Sequence, residues 1–167
     1  MIRRLTLRIA LILLSIGWMT LIFLFSGEGS MKSSEMSGGV TKTVQRTFFQ
    51  EWESLSSKEY DDHMSGLHFF IRKTAHFMEF LILGVLLSGT LLSFGIRPVF
   101  AFLFSWAAGA LYALSDEWHQ SFVSGRSSSL FDVLIDCAGV FFGIAVLYAA
   151  FFIAAKKRVK AESPLES

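Results

Sequence analysis

The chain has 167 residues, of which 53% are hydrophobic and 17% charged, with 18 Phe and a formal net charge of +1. A soluble domain of this length carries about 25% charged residues and lacks long uncharged apolar runs. A water-soluble globule is therefore excluded.

Four apolar runs follow one another. Ile9 to Phe25, Phe80 to Phe94 and Pro98 to Ser115 contain no charge, and Val133 to Ala155 contains only Asp136. A spanning helix needs roughly 20 mostly apolar residues at ~1.5 Å each. Helices and closed barrels are the structures that satisfy their backbone in lipid, and these runs lack strand alternation. The fold class expected is all-α: an integral membrane four-helix bundle, one domain over residues 1–167, with spans at about 6–25, 74–94, 98–115 and 131–155. Arg3, Arg4 and Arg8 before the first run resemble the basic start of a signal peptide. That run exceeds the usual ~7–15 residues and no A-x-A-like site follows Phe25-Ser26-Gly27, so a retained anchor is expected. Cys137, the only cysteine, falls in the fourth run and reads as a small packing residue.

An even number of spans puts both termini on one side. Arg3, Arg4, Arg8, Arg97, Lys156, Lys157, Arg158 and Lys160 share that side with only Glu162 and Glu166, while the other side holds the remaining seven basic and twelve acidic residues. The clustering of cations at helix ends predicts cytoplasmic termini in a multi-pass plasma-membrane protein. Two outer connections follow, at 26–73 and 116–130. The first opens as coil. Then Val44, Phe48, Trp52 and Leu55 recur at helical spacing, which predicts an amphipathic helix in this first extracytoplasmic loop, lying on the membrane surface or capping the bundle.

The second span begins with Arg72, Lys73, His76 and Glu79. Positions 72, 76 and 79 share one helical face, and Glu79 lies about 9 Å deeper than Lys73. Two cations at an outer helix end run against the charge rule and call for an anionic partner. The third span delivers Asp116, Glu117, His119 and Gln120 to the same side. After Gly125 and Arg126, Ser127-Ser128-Ser129 offers N-cap oxygens for the fourth span, where Asp132 and Asp136 lie one turn apart on one face, Asp136 about 6 Å deeper. Topology thus collects eleven polar residues at one end of the bundle, where ionisable groups are costly unless paired or wetted. Any single pair, such as Arg126 with Asp132 or Arg72 with Glu79, reads more readily as a packing device than as a functional one. Trp118 reads as an interface anchor, and Gly84, Gly109, Gly139 and Gly143 as points of close helix approach.

These residues carry a family pattern. Arg72-Lys73-Thr74-Ala75-His76-Phe77-Met78-Glu79-Phe80 with Leu83-Gly84, then Ser115-Asp116-Glu117-Trp118-His119-Gln120 with Gly125-Arg126, Asp132 and Asp136-x-x-Gly139, are similar to the VanZ-like family of bacterial membrane proteins. The Phe25-Ser26 start of the first loop is similar too. The resemblance runs from the end of the first span through the fourth. Position 136 is one where the family accepts Asn or Asp. The family takes its name from an accessory protein giving low-level teicoplanin resistance. Most of its members occur outside resistance operons, so the resemblance implies a bacterial cell-envelope role.

Two functions fit. One is a binding protein for an anionic lipid-linked envelope molecule, or a glycopeptide-related ligand, at the outer leaflet. Arg72, Lys73 and Arg126 would contact the anion, and Asp116, Gln120, Asp132 and Asp136 would complete the pocket. The other is an intramembrane hydrolase or transferase acting on a lipid-linked substrate, with His76 or His119 as general base and Glu79 or Glu117 as acid or orienter. In that case Asp116, His119, Asp132 or Asp136 could hold a divalent metal. The chain carries no H-E-x-x-H or G-x-S-x-G to fix a reaction class. The partners expected are a membrane lipid or lipid-linked cell-wall precursor, and no nucleic acid. Transport ranks last, because four helices without a repeat are too few for an inverted-repeat carrier.

Overall fold

The computed structural model describes residues 2–27, 30–123 and 129–162, with side chains for 2–27, 38–123 and 129–159. Its elements are α1 (Ile2–Ser26), α2 (Ser30–Phe48), a 3-10 turn (Gln50–Ser54), α3 (Ser57–Ser93), α4 (Pro98–Gln120) and α5 (Leu130–Glu162). No strand occurs among the described residues, and α1, α3, α4 and α5 are each long and apolar enough to cross a membrane. The protein is an all-helical integral membrane bundle.

The helices overrun the apolar runs that announce them. α3 begins at Ser57, well before residue 74, because Ser56 and Glu59 form a reciprocal capping box: the Ser56 hydroxyl accepts from the Glu59 amide at 3.4 Å while the Ser56 amide donates to Glu59 Oε2 at 3.2 Å. Removing that cap by Ser56→Ala is expected to cost about 1 kcal/mol locally. Amide exchange should speed up over residues 57–63 and stay unchanged beyond His76. The helix expected in the first loop is present as α2, and only its predicted face of Val44, Phe48, Trp52 and Leu55 is corrected. The helix ends at Phe48, which is exposed, and the chain re-forms as a 3-10 turn, so the 3.6-residue spacing does not run through. Among the described side chains of α2, Thr41 and Gln45 are the buried ones, and α2 packs on α3. Beyond the break, Trp52 stacks between Phe49 and His63, with ring centroids 4.5 and 4.9 Å away. The first loop therefore folds against the extension of α3.

α3 lies along α5, its most extensive neighbour, and α4 and α1 complete the bundle. The approach of α3 to α5 depends on glycine. A Cβ on Gly143 would come 2.0 Å from Leu81 O, one on Gly139 2.5 Å from Phe77 O, and one on Gly84 2.3 Å from Val140 O. Gly109 of α4 makes the same allowance for the Val140 side chain, at 2.7 Å. The G-x-x-x-G of α5 thus brings backbones together, as small residues do in lipid, where apolar burial gives helices no reason to associate. Around these contacts Ile22, Phe80, Leu83, Ala113, Val140 and Ile144 form a closed core, while Leu13, Leu111 and Phe152 face outward.

At one end of the bundle α3 turns into α4 through Gly95, whose φ of +82° suits glycine. Arg8 Nε donates to Ser93 O at 3.0 Å and its guanidinium lies over the Phe94 ring. This cation at a helix C-terminus satisfies a carbonyl that the helix leaves open. Arg8 and Arg97 belong to this end, and the polar residues of interest belong to the other.

Candidate functional site

Toward its polar end the bundle replaces packed hydrocarbon with hydrogen bonds. Asp116, in the last turns of α4, is 2% exposed; its Oδ2 accepts from Ser26 Oγ at 2.9 Å and from Gln120 Nε2 at 2.8 Å. Gln120 also donates to Ser26 Oγ at 3.3 Å. The i, i+4 spacing of Asp116 and Gln120 produces this pairing because α4 continues past Ser115. Two further bonds tie α1 to this level. Trp18 Nε1 donates to Glu79 O at 2.8 Å, and Tyr112 Oη donates to Met19 O at 2.5 Å.

α3 and α5 supply the rest. Lys73 forms an ion pair with Asp132, their side chains 13% and 21% exposed. The anionic partner that Arg72 and Lys73 call for is thus, for Lys73, part of the chain. On α3 His76 Nδ1 stands 3.8 Å from Glu79 Oε2, the i, i+3 relation expected of a shared face. One turn deeper than Asp132, Asp136 is 2% exposed, and its Oδ1 has no hydrogen-bond partner among the described residues. Glu117 of α4 reaches across to accept from the Ser129 amide, just ahead of α5, while Ser129 Oγ accepts from the Phe131 amide at 3.2 Å. Ser129 is thus the N-cap oxygen expected of the serine run; Ser127 and Ser128 lie outside the described residues.

These side chains enclose a small cavity lined by Lys73, His76, Glu117, Gln120, Asp132, Ile135 and Asp136, with about 10 Å³ of room. That is space for one water-sized body. Beside it, on the other side of Glu117, a wider groove of about 240 Å³ runs between the end of α4 and the start of α5, lined by Leu114, Trp118, Ser121, Ser129, Leu130 and Val133. Glu117 belongs to both.

The site is more acidic than the expected anion-binding trio implies. Asp116, Glu117, Asp132 and Asp136 are buried or half-buried within it, against Lys73 alone among the lining cations. Arg72 is half-buried on α3 but does not line the cavity, and Arg126 lies outside the described residues. His119 turns away from the cavity: its ring stacks on Phe23 at 4.3 Å, and its Nε2 is buried with no hydrogen-bond partner among the described residues. Of the four residues named for a metal from the sequence, Asp116 and Asp136 come together. Asp132 is engaged by Lys73 and His119 by α1, and His76 takes their place. The ligand atoms of His76, Asp116 and Asp136 all lie within 4.8 Å of one another.

Ser26 and Trp18 are contributors that the polar pattern does not single out. Ser26 is 1% exposed at the end of α1, and a buried hydroxyl closing an apolar run is the signal that marks it. Trp118, 69% exposed, has the position of an interface anchor and forms an edge contact with Phe122.

A family model described as VanZ/LLP1 matches residues 11–153 of the chain. No curated protein and no solved structure matches it.

Proposed function

The chain belongs to the VanZ/LLP1 family of multi-pass membrane proteins, and from that premise we propose that it binds the anionic head of a lipid-linked envelope molecule at the polar end of its bundle. The reading rests on one observation: a polar cavity walled by three spanning helices adjoins an apolar groove open to the side, with Glu117 common to both. An amphiphile needs such a pair, a hydrogen-bonding recess for its head beside a slot of Leu114, Trp118 and Leu130 for the start of its chain. The recess itself holds only a water-sized body, so the head sits at its rim, beside Arg72 and the Lys73–Asp132 pair. Positive clustering at the Arg8 and Arg97 end supports an outer-leaflet site in a bacterial plasma membrane, with both termini cytoplasmic. Capture of an envelope precursor there is also the route by which such a protein would alter susceptibility to teicoplanin, a glycopeptide.

Mass spectrometry of lipid co-purifying with the detergent-extracted protein tests this. The wild type should retain a polyprenyl-phosphate-type lipid near one per chain, and Arg72→Ala combined with Lys73→Ala should lower it about tenfold, the loss expected of about 1.4 kcal/mol. Arg97→Ala, at the far end, should leave it unchanged. Equal lipid content in all three proteins would overturn the reading.

A second reading, an intramembrane hydrolase or transferase, draws support from the His76–Glu79 contact at 3.8 Å, an imidazole beside a carboxylate of the kind that moves protons. Turnover of an undecaprenyl-linked substrate that disappears in His76→Gln would favour it over simple binding.

A further inference from the structure

We propose that His76, Asp116 and Asp136, one each from α3, α4 and α5, form a binding site for a divalent transition-metal ion. The geometry comes first. Ligand atoms on opposite sides of one ion at about 2.1–2.4 Å stand at most about 4.2–4.8 Å apart. The three candidate atoms lie within 4.8 Å of one another. One ion reaches all three with sub-ångström side-chain adjustment.

The second observation is independent of that clustering. Asp136 is 98% buried in a membrane bundle, lines the cavity, and offers it an Oδ1 that no described residue satisfies. A buried carboxylate oxygen without a partner is costly, and its neighbours aggravate the cost: Asp116 and Glu117 are buried beside it. Lys73, the cation lining the same cavity, is committed to Asp132. A divalent ion at the centre of the three ligands would cancel this excess negative charge. The cavity, lined by His76 and Asp136 with Asp116 just behind them, has about 10 Å³ of room, which admits a monatomic ion and excludes a phosphate group.

The donor set selects the class of ion. One imidazole with two carboxylates suits zinc or manganese better than calcium, which prefers oxygen alone. The surrounding residues resemble a metal's outer shell. Ser26 and Gln120 hold Asp116 from behind, and Glu79 stands beside the His76 ring. Three protein ligands leave a coordination position open, as in sites where a metal engages a ligand. On the lipid-binding reading above, on which this last step rests, that position meets a phosphate oxygen and explains how so acidic a site accepts an anion.

Manganese uptake by the purified full-length protein in nanodiscs, followed by electron paramagnetic resonance, tests the site. The wild type is expected to bind one Mn²⁺ per chain, with nitrogen coupling from a single imidazole in the pulsed spectrum. His76→Gln should abolish the nitrogen signal, and Asp136→Asn, a near-isosteric change that the family's own preference tolerates, should weaken binding at least about tenfold. His119→Ala should leave both affinity and coupling intact. Absence of stoichiometric uptake, or uptake unaltered by His76→Gln and Asp136→Asn, would overturn the proposal. If the variants lose their native elution profile, the wild-type protein and His119→Ala decide: no stoichiometric uptake, no nitrogen coupling, or coupling that disappears in His119→Ala overturns the proposal. Lipid content measured on the same samples separates the two ideas. Lipid retained by protein that binds no manganese leaves the lipid reading standing and removes the metal. Manganese bound by protein that carries no lipid does the reverse.

Discussion

Replacing Gly143 with alanine is expected to lower the stability of the bundle by about 3 kcal/mol, at the upper end of what overpacking costs. The new methyl group would stand 2.0 Å from Leu81 O, a backbone atom that cannot rotate aside. α3 and α5 would have to separate by about an ångström along their longest contact, and the facing pairs at Gly139 and Gly84 would open with them. Gly17→Ala supplies the contrast. Nothing lies within 4 Å of a Cβ there, so the change should be neutral or stabilising by up to about 1 kcal/mol through helix propensity. Thermal unfolding in detergent, followed by size-exclusion of the surviving fold, distinguishes the two. Equal melting temperatures for both variants would show that the α3–α5 contact is looser than described.

The ion pair of Lys73 and Asp132 carries the second large effect. Stripping one partner from a buried pair costs about 3–5 kcal/mol, because the other charge is left without compensation. Here both side chains keep some contact with solvent, 13% and 21% exposed, so about 2 kcal/mol is expected for Asp132→Ala and for Lys73→Met alone. The double variant should lose much less than the sum, giving a coupling of about 2 kcal/mol in the cycle. Additive losses would mean that the two side chains do not meet. The pair also joins the middle of α3 to the first turn of α5, so its loss should increase amide exchange at the start of α5.

The four spans were legible because lipid imposes a crude requirement, about 20 apolar residues, that the runs at Ile9, Phe80, Pro98 and Val133 declare openly. Helix ends were not. α3 begins at Ser57 and α4 runs on to Gln120 through residues too polar to be recognised by hydropathy, although the Ser56-x-x-Glu59 capping box was there to mark the first of them. Local spacing also overstated continuity in the first loop, where Val44, Phe48, Trp52 and Leu55 fit one helical face that the chain breaks at Phe49.

For the site, topology gathered the right segments to one end of the bundle. Which side chain meets which was beyond it. Lys73 and Arg72 are adjacent in sequence, and only the rotation of α3 against α5 hands Asp132 to the lysine. Asp116, Glu117 and His119 crowd four positions of one helix and divide between two neighbours: Asp116 and His119 meet Ser26 and Phe23 of α1, and Glu117 meets the start of α5. Ser26 enters the site from the end of an apolar helix, where hydropathy and charge do not mark it and only the Phe25-Ser26 resemblance does.

All of this depends on His76 and Asp136 facing each other across the α3–α5 contact inside one enclosed space. Paired cysteines test that directly. In a Cys137→Ser background, His76→Cys with Asp136→Cys should bind one Hg²⁺ per chain between the two thiols and become resistant to maleimide. Ser88→Cys with Asp136→Cys, where residue 88 lies about 18 Å along α3 from residue 76, should not. Independent labelling of both thiols at positions 76 and 136, with no bridged species in the intact mass, would contradict the shared cavity.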